Sequence, residues 1–226
     1  PIEESVQDLI KDVLILDLDE TLIHSNSPIR KGVKYDIILE ESNLGIHIRP
    51  GLLEFLTAMK KKMSLVLFSA GDRDYVEIVL SCLQIRDYFS MILCQEQTIM
   101  ISEEILVKDL SLVKTLETQR LDHIIKNANS KNTNLKYNNF IKKDNEIRRN
   151  FEIIIADNNL FSFSKDLSFG VHVSDYLGGK EDEALYDLKE FLIEKVREKD
   201  LSKIPLENLL EEHFCFSSLC AAIKEE

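Results

Sequence analysis

Two aspartates separated by one residue, Asp17 and Asp19, directly follow the apolar run Val13-Leu14-Ile15-Leu16 in the segment Asp17-Leu18-Asp19-Glu20-Thr21. In extended backbone, residues two apart project to the same side, so both carboxylates would enter one site. Close carboxylates repel, and such a pair needs a cation, a shared proton or a division of roles. Taken alone, the pair has a plainer reading, an acid capping a helix that starts after a strand. Three further positions argue for chemistry. The run Ser64-Leu65-Val66-Leu67-Phe68 ends in Ser69-Ala70-Gly71, which supplies a hydroxyl. Val107-Lys108-Asp109 places a lysine at the head of a helix, and the run from Phe151 to Ala156 ends in Asp157-Asn158, an acid and an amide. A nucleophilic carboxylate, a hydroxyl donor, a cation and oxygen ligands for a metal on one sheet edge are what phosphoryl transfer through an aspartyl-phosphate requires.

The elements that must position these groups alternate between strand and helix. Residues 12–17, 64–68 and 151–156 are near-continuous apolar runs rich in β-branched side chains, the pattern of strands buried on both faces. Further strands are predicted at 88–93 and 169–173, with short β-prone pieces at 98–101 and 105–107. Residues 34–40 and 45–49 read as an antiparallel hairpin across Glu41-Ser42-Asn43-Leu44. Helices with apolar stripes are predicted at 51–61, opened by Pro50-Gly51, and at 72–82, 109–126 and 183–197. Pro205 opens an appended C-terminal helix at 205–226. Residues 118–150 read as an Asn- and Lys-rich insertion, and eight of the 24 residues from 127 to 150 are Asn, a composition expected of poorly ordered chain. Together these predict an α/β fold, a Rossmann-like parallel sheet with helices on both faces, in which ligands sit beyond the C-terminal strand ends. The expected organisation is one domain over 1–226, with its core at about 10–200.

Composition narrows the function classes. The chain carries 28 Lys+Arg against 40 Asp+Glu, net −12, which argues against a general binder of nucleic acid or anionic membrane. The charge is uneven. Residues 120–149 hold eight basic and three acidic side chains, net +5, and the rest of the chain is −17. That negative surround favours partners with basic flanks over acidic ones. Cys82, Cys94, Cys215 and Cys220 form no disulfide framework and no C-x-x-C zinc pair, as expected of free thiols in a reducing compartment. None has Arg six residues on, so the C-x5-R loop of cysteine-dependent phosphatases is absent. The apolar run at 214–223 is too short to span a membrane, no signal-like segment opens the chain, and a start at Pro1 without Met reads as trimmed.

With these residues in place, a resemblance is plain. D-x-D-x-T, a Ser/Thr, a Lys and an acidic pair are the four motifs of haloacid dehalogenase-type (HAD) phosphatases. Leu16-Asp17-Leu18-Asp19-Glu20-Thr21-Leu22-Ile23-His24-Ser25 resembles the first motif of the small C-terminal-domain phosphatases, the NLI-interacting-factor-like family. Ile48-Arg49-Pro50-Gly51-Leu52-Leu53-Glu54-Phe55-Leu56 is similar to that family's R-P-G segment, and Val107-Lys108-Asp109-Leu110-Ser111 to its lysine motif. The chain departs from the pattern with Ser69 where Thr is usual, Asn159-Leu160 where Ser-Pro is usual, and Tyr176 near a place where Trp is common.

The resemblance implies roles. Asp17 is the nucleophile, and Asp19 the acid for the leaving alkoxide and then the base for the hydrolytic water, protonated in the first step under the influence of the Asp17 charge. Thr21 supports the loop or the phosphate, Ser69 and Lys108 bind phosphate oxygens, and Asp157 orients Lys108 or a metal-bound water. The implied cofactor is Mg²⁺, held by the Asp17 carboxylate, the Asp19 backbone carbonyl and Asn158. The implied activity is a Mg²⁺-dependent protein serine/threonine phosphatase of the nucleus or cytoplasm, with the RNA polymerase II C-terminal domain as a candidate substrate. The alternative is a catalytically silent phosphopeptide-binding module, like the family's mitochondrial translocase subunit. Keeping Asp17, Asp19, Lys108 and Asp157 together favours catalysis.

Spacing speaks to the substrate. Between Thr21 and Ser69 lie 47 residues, and between Ser69 and Lys108 lie 38, too few for a large cap domain beside the predicted elements. A site left open this way takes a substrate whose own bulk excludes water, hence a phosphorylated protein, with the pieces at 95–107 flanking the entrance. No direct nucleic-acid partner is expected. His24, close to the first motif, reads as a packing or hydrogen-bonding residue rather than a catalyst.

Overall fold

Val13, Leu14, Ile15 and Leu16 are fully buried because the strand they form, β1 (Val13–Leu16), has strands on both edges and packed layers on both faces. The computed structural model of the chain describes residues 11–102, 105–131 and 151–198. β1 pairs in parallel with β5 (Ser64–Phe68) on one side and β9 (Ile153–Asp157) on the other. β6 (Met91–Leu93) lies beyond β5, and β10 (Gly170–His172) beyond β9. The order β10-β9-β1-β5-β6 is parallel throughout. From β1 the chain builds outward through β5 to β6 and then returns to β9, so the direction of winding reverses at β1 and β9. Ligands of such sheets bind beyond the strand ends at that reversal.

Alternation along β1 divides the core. Leu14 and Leu16 join the layer formed with helices α1 (Leu52–Lys62), α2 (Arg73–Leu83) and α4 (Ala184–Glu198). Val13 and Ile15 face the opposite layer, which includes Leu110, Val113 and Leu121 of α3 (Leu110–Lys131) and also Phe163. The predicted α/β architecture, with a central parallel sheet between helical layers, is the one observed. At the start of α1, Gly51 takes φ 80°, a left-handed conformation that an L side chain resists. An added Cβ there would also lie 2.9 Å from Cζ of Tyr186, so Gly51 lets the turn after Pro50 close against α4.

The differences from expectation are local. The hairpin at 34–40 and 45–49 is β3 (Ile37–Leu39) with β4 (Leu44–Ile48), and a third strand, β2 (Ile23–Asn26), completes a small sheet ordered β2-β4-β3. β2 was hidden because Ile-His-Ser-Asn lacks an apolar run. The strand expected at 88–93 is reduced to β6, since Arg86–Tyr88 close into a 3-10 turn. β7 (Ile99–Ser102) and β8 (Ile105–Val107) pair as an antiparallel ribbon. α3 continues to Lys131, past the expected end at 126, so the first part of the insertion at 118–150 is helical. Leu160–Phe169 form a kinked 3-10 segment that was not foreseen. Residues 132–150 of the insertion and the C-terminal helix expected at 205–226 lie outside the described residues. No helix among the described residues is long and apolar enough to cross a membrane.

Candidate active site

β1 and β9 end side by side, which brings Asp17 and Asp157 to one edge of the sheet. The Lys108 ammonium lies between them, 2.5 Å from Asp17 Oδ1 and 2.6 Å from Asp157 Oδ2. Lys108 is 1% exposed, Asp157 1% and Asp17 6%, so the cluster is withdrawn from water. Burial alone would drive the lysine to lose its proton, but Asp157 and Asp17 override it and hold Lys108 above the ordinary lysine value. Asp17 is pushed up to about 7, first by burial and then, against the pull of Lys108, by repulsion from Asp157 and Asp19. Asp157 is fixed on both oxygens, because its Oδ1 accepts the Asn159 N–H at 2.8 Å.

Asp19 is partly buried and near enough to Asp17 for the two charges to repel. Its side chain is pushed up to about 6, and the largest cause is burial, with repulsion from Glu20 adding to it and hydrogen bonds from Tyr75 and Ser25 opposing it. Burial is thus the largest influence favouring the protonated acid, and the mutual repulsion of Asp17 and Asp19 is registered at Asp17. Thr21 is fully buried, and its hydroxyl exchanges two hydrogen bonds with Asn158, donating to Oδ1 at 3.1 Å and accepting from the backbone N–H at 3.1 Å. Of the two functions expected of Thr21, this geometry supports the first, joining the loop after β1 to the loop after β9.

Ser69, at the end of β5, is also buried, and its Oγ accepts the Gly71 N–H at 3.0 Å. The β5 end is tied to its neighbour by the Ser69 N–H bond to Leu93 O at 3.0 Å. The Asn159-Leu160 departure has a structural consequence. Asn159 Oδ1 accepts the Phe161 N–H at 3.0 Å and caps the 3-10 segment, and Ser162 O then accepts the Lys108 N–H at 2.7 Å. The departure thus builds a turn that anchors the main chain of the lysine.

The donor set suits a hard cation. Asp17 Oδ2, the Asp19 carbonyl and Asn158 Oδ1 are all oxygen, the preference of Mg²⁺, and three buried or partly buried acids share one ammonium. The Asn158 carboxamide is oriented from both ends, because its Nδ2 donates to Asp175 at 2.9 Å. Among the described residues no three His, Cys, Asp or Glu side chains gather as a metal site. Asp17, the Asp19 carbonyl and Asn158 would together offer one carboxylate, one main-chain carbonyl and one amide, sparse protein ligation of the kind that leaves Mg²⁺ most of its waters.

Several residues around the site have no role assigned from the sequence, although Arg49 and Tyr176 figure in the motif comparison. Arg49 is fully buried and forms a fork. Its Nε and Nη2 bind the two oxygens of Asp182 at 2.7 and 2.9 Å, Nη1 donates to Thr21 O at 2.9 Å, and Nη2 donates to Ser174 O at 2.8 Å. It also lies over the Tyr176 ring, 5.4 Å from its centre. Tyr176 fills the place expected of a Trp, with its hydroxyl donating to Ile48 O at 2.9 Å and its N–H to Glu20 O at 2.8 Å. The signal for Arg49 was its place in the R-P-G segment and that for Ser25 its place at the end of the first motif, while Tyr75, which also contacts Asp19, carried none. His24 bonds to Glu20 at 2.9 Å and stacks with His47, as expected of a packing residue.

Residues 12–202 match the NLI interacting factor-like phosphatase family. Among curated proteins, the chain is 28% identical over 200 residues to an uncharacterized protein of Schizosaccharomyces pombe, covering 86% of this chain and 50% of that one. It is 26% identical over 194 residues to Nuclear envelope morphology protein 1 of Saccharomyces cerevisiae, covering 80% and 38%. The chain thus spans half or less of the length of these relatives. Among solved structures, it is similar to the fission yeast RNA polymerase II CTD phosphatase Fcp1 bound to beryllium fluoride, with TM-score 0.45, 16% identity, and coverage of 84% of this chain and 52% of that one.

Proposed function

The chain belongs to the NLI interacting factor-like phosphatase family, and from that membership we propose that it is a Mg²⁺-dependent protein serine/threonine phosphatase working through an aspartyl-phosphate. The observation that carries this reading is the buried Lys108 ammonium clamped between Asp17 and Asp157 at adjacent strand ends. A purely structural role would waste it, since such buried ion clusters are costly beside apolar packing.

The chemistry follows from the positions. An oxygen of Asp17 attacks phosphorus in line with the serine oxygen, a P–O bond forms to Asp17, and the P–O bond to serine breaks. Asp19, neutral through burial, gives its proton to the departing alkoxide, a contribution of about 10²–10⁴-fold for general acid catalysis. Asp19 then takes a proton from water as that water attacks phosphorus, which frees inorganic phosphate and restores Asp17. Lys108 and the Ser69 hydroxyl offset and bind the phosphoryl oxygens, where preorganised donors act most strongly. Asp157 holds Lys108 in place, and Thr21 holds the two loops together. Asp17, the Asp19 carbonyl and Asn158 would hold Mg²⁺, which when bound supplies charge neutralisation at the phosphoryl group.

The substrate proposed is a phosphorylated protein, in keeping with the small β2-β4-β3 sheet and the β7–β8 ribbon as the additions around the site. The RNA polymerase II C-terminal domain is one candidate. A nuclear or cytoplasmic place of action accompanies this reading, in line with the free thiols of Cys82 and Cys94 among the described residues. The test is phosphate release from p-nitrophenyl phosphate and a phosphoserine peptide, with and without Mg²⁺, by the parent chain and Asp17→Asn. Turnover that needs both Mg²⁺ and Asp17 is expected. An inactive parent that still binds the phosphopeptide would favour a silent binding module instead.

A further inference from the structure

Asp19 is not free to turn. Its Oδ1 accepts a hydrogen bond from the Tyr75 hydroxyl and lies 3.4 Å from Ser25 Oγ, while the Tyr75 and Ser25 oxygens are 2.9 Å apart. Tyrosine has one O–H. With that proton committed to Asp19, its oxygen accepts from Ser25, which at 2.9 Å is the better partner than Asp19 at 3.4 Å. Three elements therefore meet at one carboxyl oxygen: the loop after β1, the small sheet through β2, and α2.

Tyr75 is itself held. Asp72 caps α2 by accepting the Tyr75 N–H at 2.9 Å, which sets the first turn of the helix over the loop at 69–71. The ring lies so close to that loop that a Cβ on Gly71 would sit 3.0 Å from Tyr75 Cδ1 and 3.2 Å from Ser69 Oγ. Gly71 thus gives the ring room to reach across to Asp19. The phosphate-binding serine and the acid are positioned by the same few residues.

A neutral carboxyl group carries its proton on one of two oxygens, and only one choice can serve a leaving group. We infer that Tyr75, supported by Ser25, is a positioning residue for general acid catalysis: by occupying Oδ1 of Asp19 it keeps the transferable proton on Oδ2 and fixes the rotamer that presents it. The inference rests on the phosphatase reading above. When the phosphorus–oxygen bond of phosphoserine breaks and the bond to Asp17 forms, the Oδ2 proton passes to the serine oxygen, leaving Asp19 as the carboxylate that Tyr75 and Ser25 still face.

This role separates from mere support through the leaving group. A serine alkoxide needs a proton as it departs, whereas p-nitrophenolate departs as a stable anion. Tyr75→Phe keeps the ring against Gly71 and removes only the hydroxyl. The experiment measures kcat/KM of the parent chain, Tyr75→Phe and Ser25→Ala on a phosphoserine peptide and on p-nitrophenyl phosphate, with Mg²⁺. Because general acid catalysis is worth about 10²–10⁴-fold, Tyr75→Phe should lose about tenfold or more on phosphoserine and about threefold or less on p-nitrophenyl phosphate. Ser25→Ala should change the two substrates in the same direction by less. Equal losses on both substrates, or no loss on phosphoserine, would overturn the inference while leaving the phosphatase reading intact. An inactive parent chain would overturn both.

Discussion

Asp157 and Lys108 are 49 positions apart in sequence, yet Asp157 Oδ2 lies 2.6 Å from Lys108 Nζ with both side chains 1% exposed. Neither residue serves the other alone, since Lys108 also binds Asp17 and Asp157 also receives the Asn159 N–H. The pair therefore connects Asp17 to the turn that follows β9.

Asp157→Ala leaves Lys108 with Asp17 alone and removes one of its two buried partners. It should lower stability by about 1–3 kcal/mol, measured as a fall in the urea midpoint at unchanged m-value. A change below about 1 kcal/mol would mean that water or Asp17 alone satisfies Lys108. Turnover should fall as well, because Lys108 loses its fixed position.

Asp19 contributes a pH dependence of known sign. Its folded value of about 6 lies above the ordinary aspartate value of 3.8, so the folded chain holds this proton more tightly than the unfolded chain. The stability it contributes is full below about 3.8 and lost as pH rises through about 6. Asp19→Asn does not titrate there. Its stability relative to the parent should rise across that window, in paired thermal or urea melts. A constant difference across the window would show that burial does not govern this group.

On the proposed mechanism, Ser69→Ala removes one preorganised donor to the phosphoryl group and should cut kcat by about 10²–10³-fold. Ser69→Thr, which keeps the hydroxyl, should stay within about tenfold of the parent. Steady-state kinetics with Mg²⁺ decide this, and equal loss in both variants would place the cause in packing rather than in the hydroxyl.

Arg49 joins the loop after β1 to the stretch around Ser174 and Asp182 through its fork of hydrogen bonds. Lysine offers a point charge in place of that planar fork. Arg49→Ala should cost about 3–5 kcal/mol in denaturant titrations, and Arg49→Lys, which keeps the charge but not the fork, should still cost more than about 1 kcal/mol. Full stability of Arg49→Lys would contradict the importance of the fork.

What was legible in the sequence was whatever an element states locally. β1, β5 and β9 announce themselves as apolar runs because both faces are covered, and each ends in a polar residue where the sheet stops. That placed Asp17, Ser69 and Asp157 on one edge, and the head of α3 supplied Lys108. β2 was missed because its burial comes from pairing with β4, not from its own composition. The kinked segment at 160–169 is set by the Asn159 cap and its contact with Lys108, which is a tertiary fact. Tyr75 and Arg49 act through partners 56 and 133 residues away, and no spacing rule reaches that far.

The central claim is that Asp17 carries the phosphoryl group. The most direct measurement is rapid acid quench during turnover of the phosphoserine peptide, borohydride reduction of any acyl phosphate, and peptide mass spectrometry of the chain. Reduction at Asp17 that requires both substrate and Mg²⁺, and is absent from Asp17→Asn, is the predicted result. Steady turnover with no reduction at Asp17, or with reduction at another carboxylate, would contradict it.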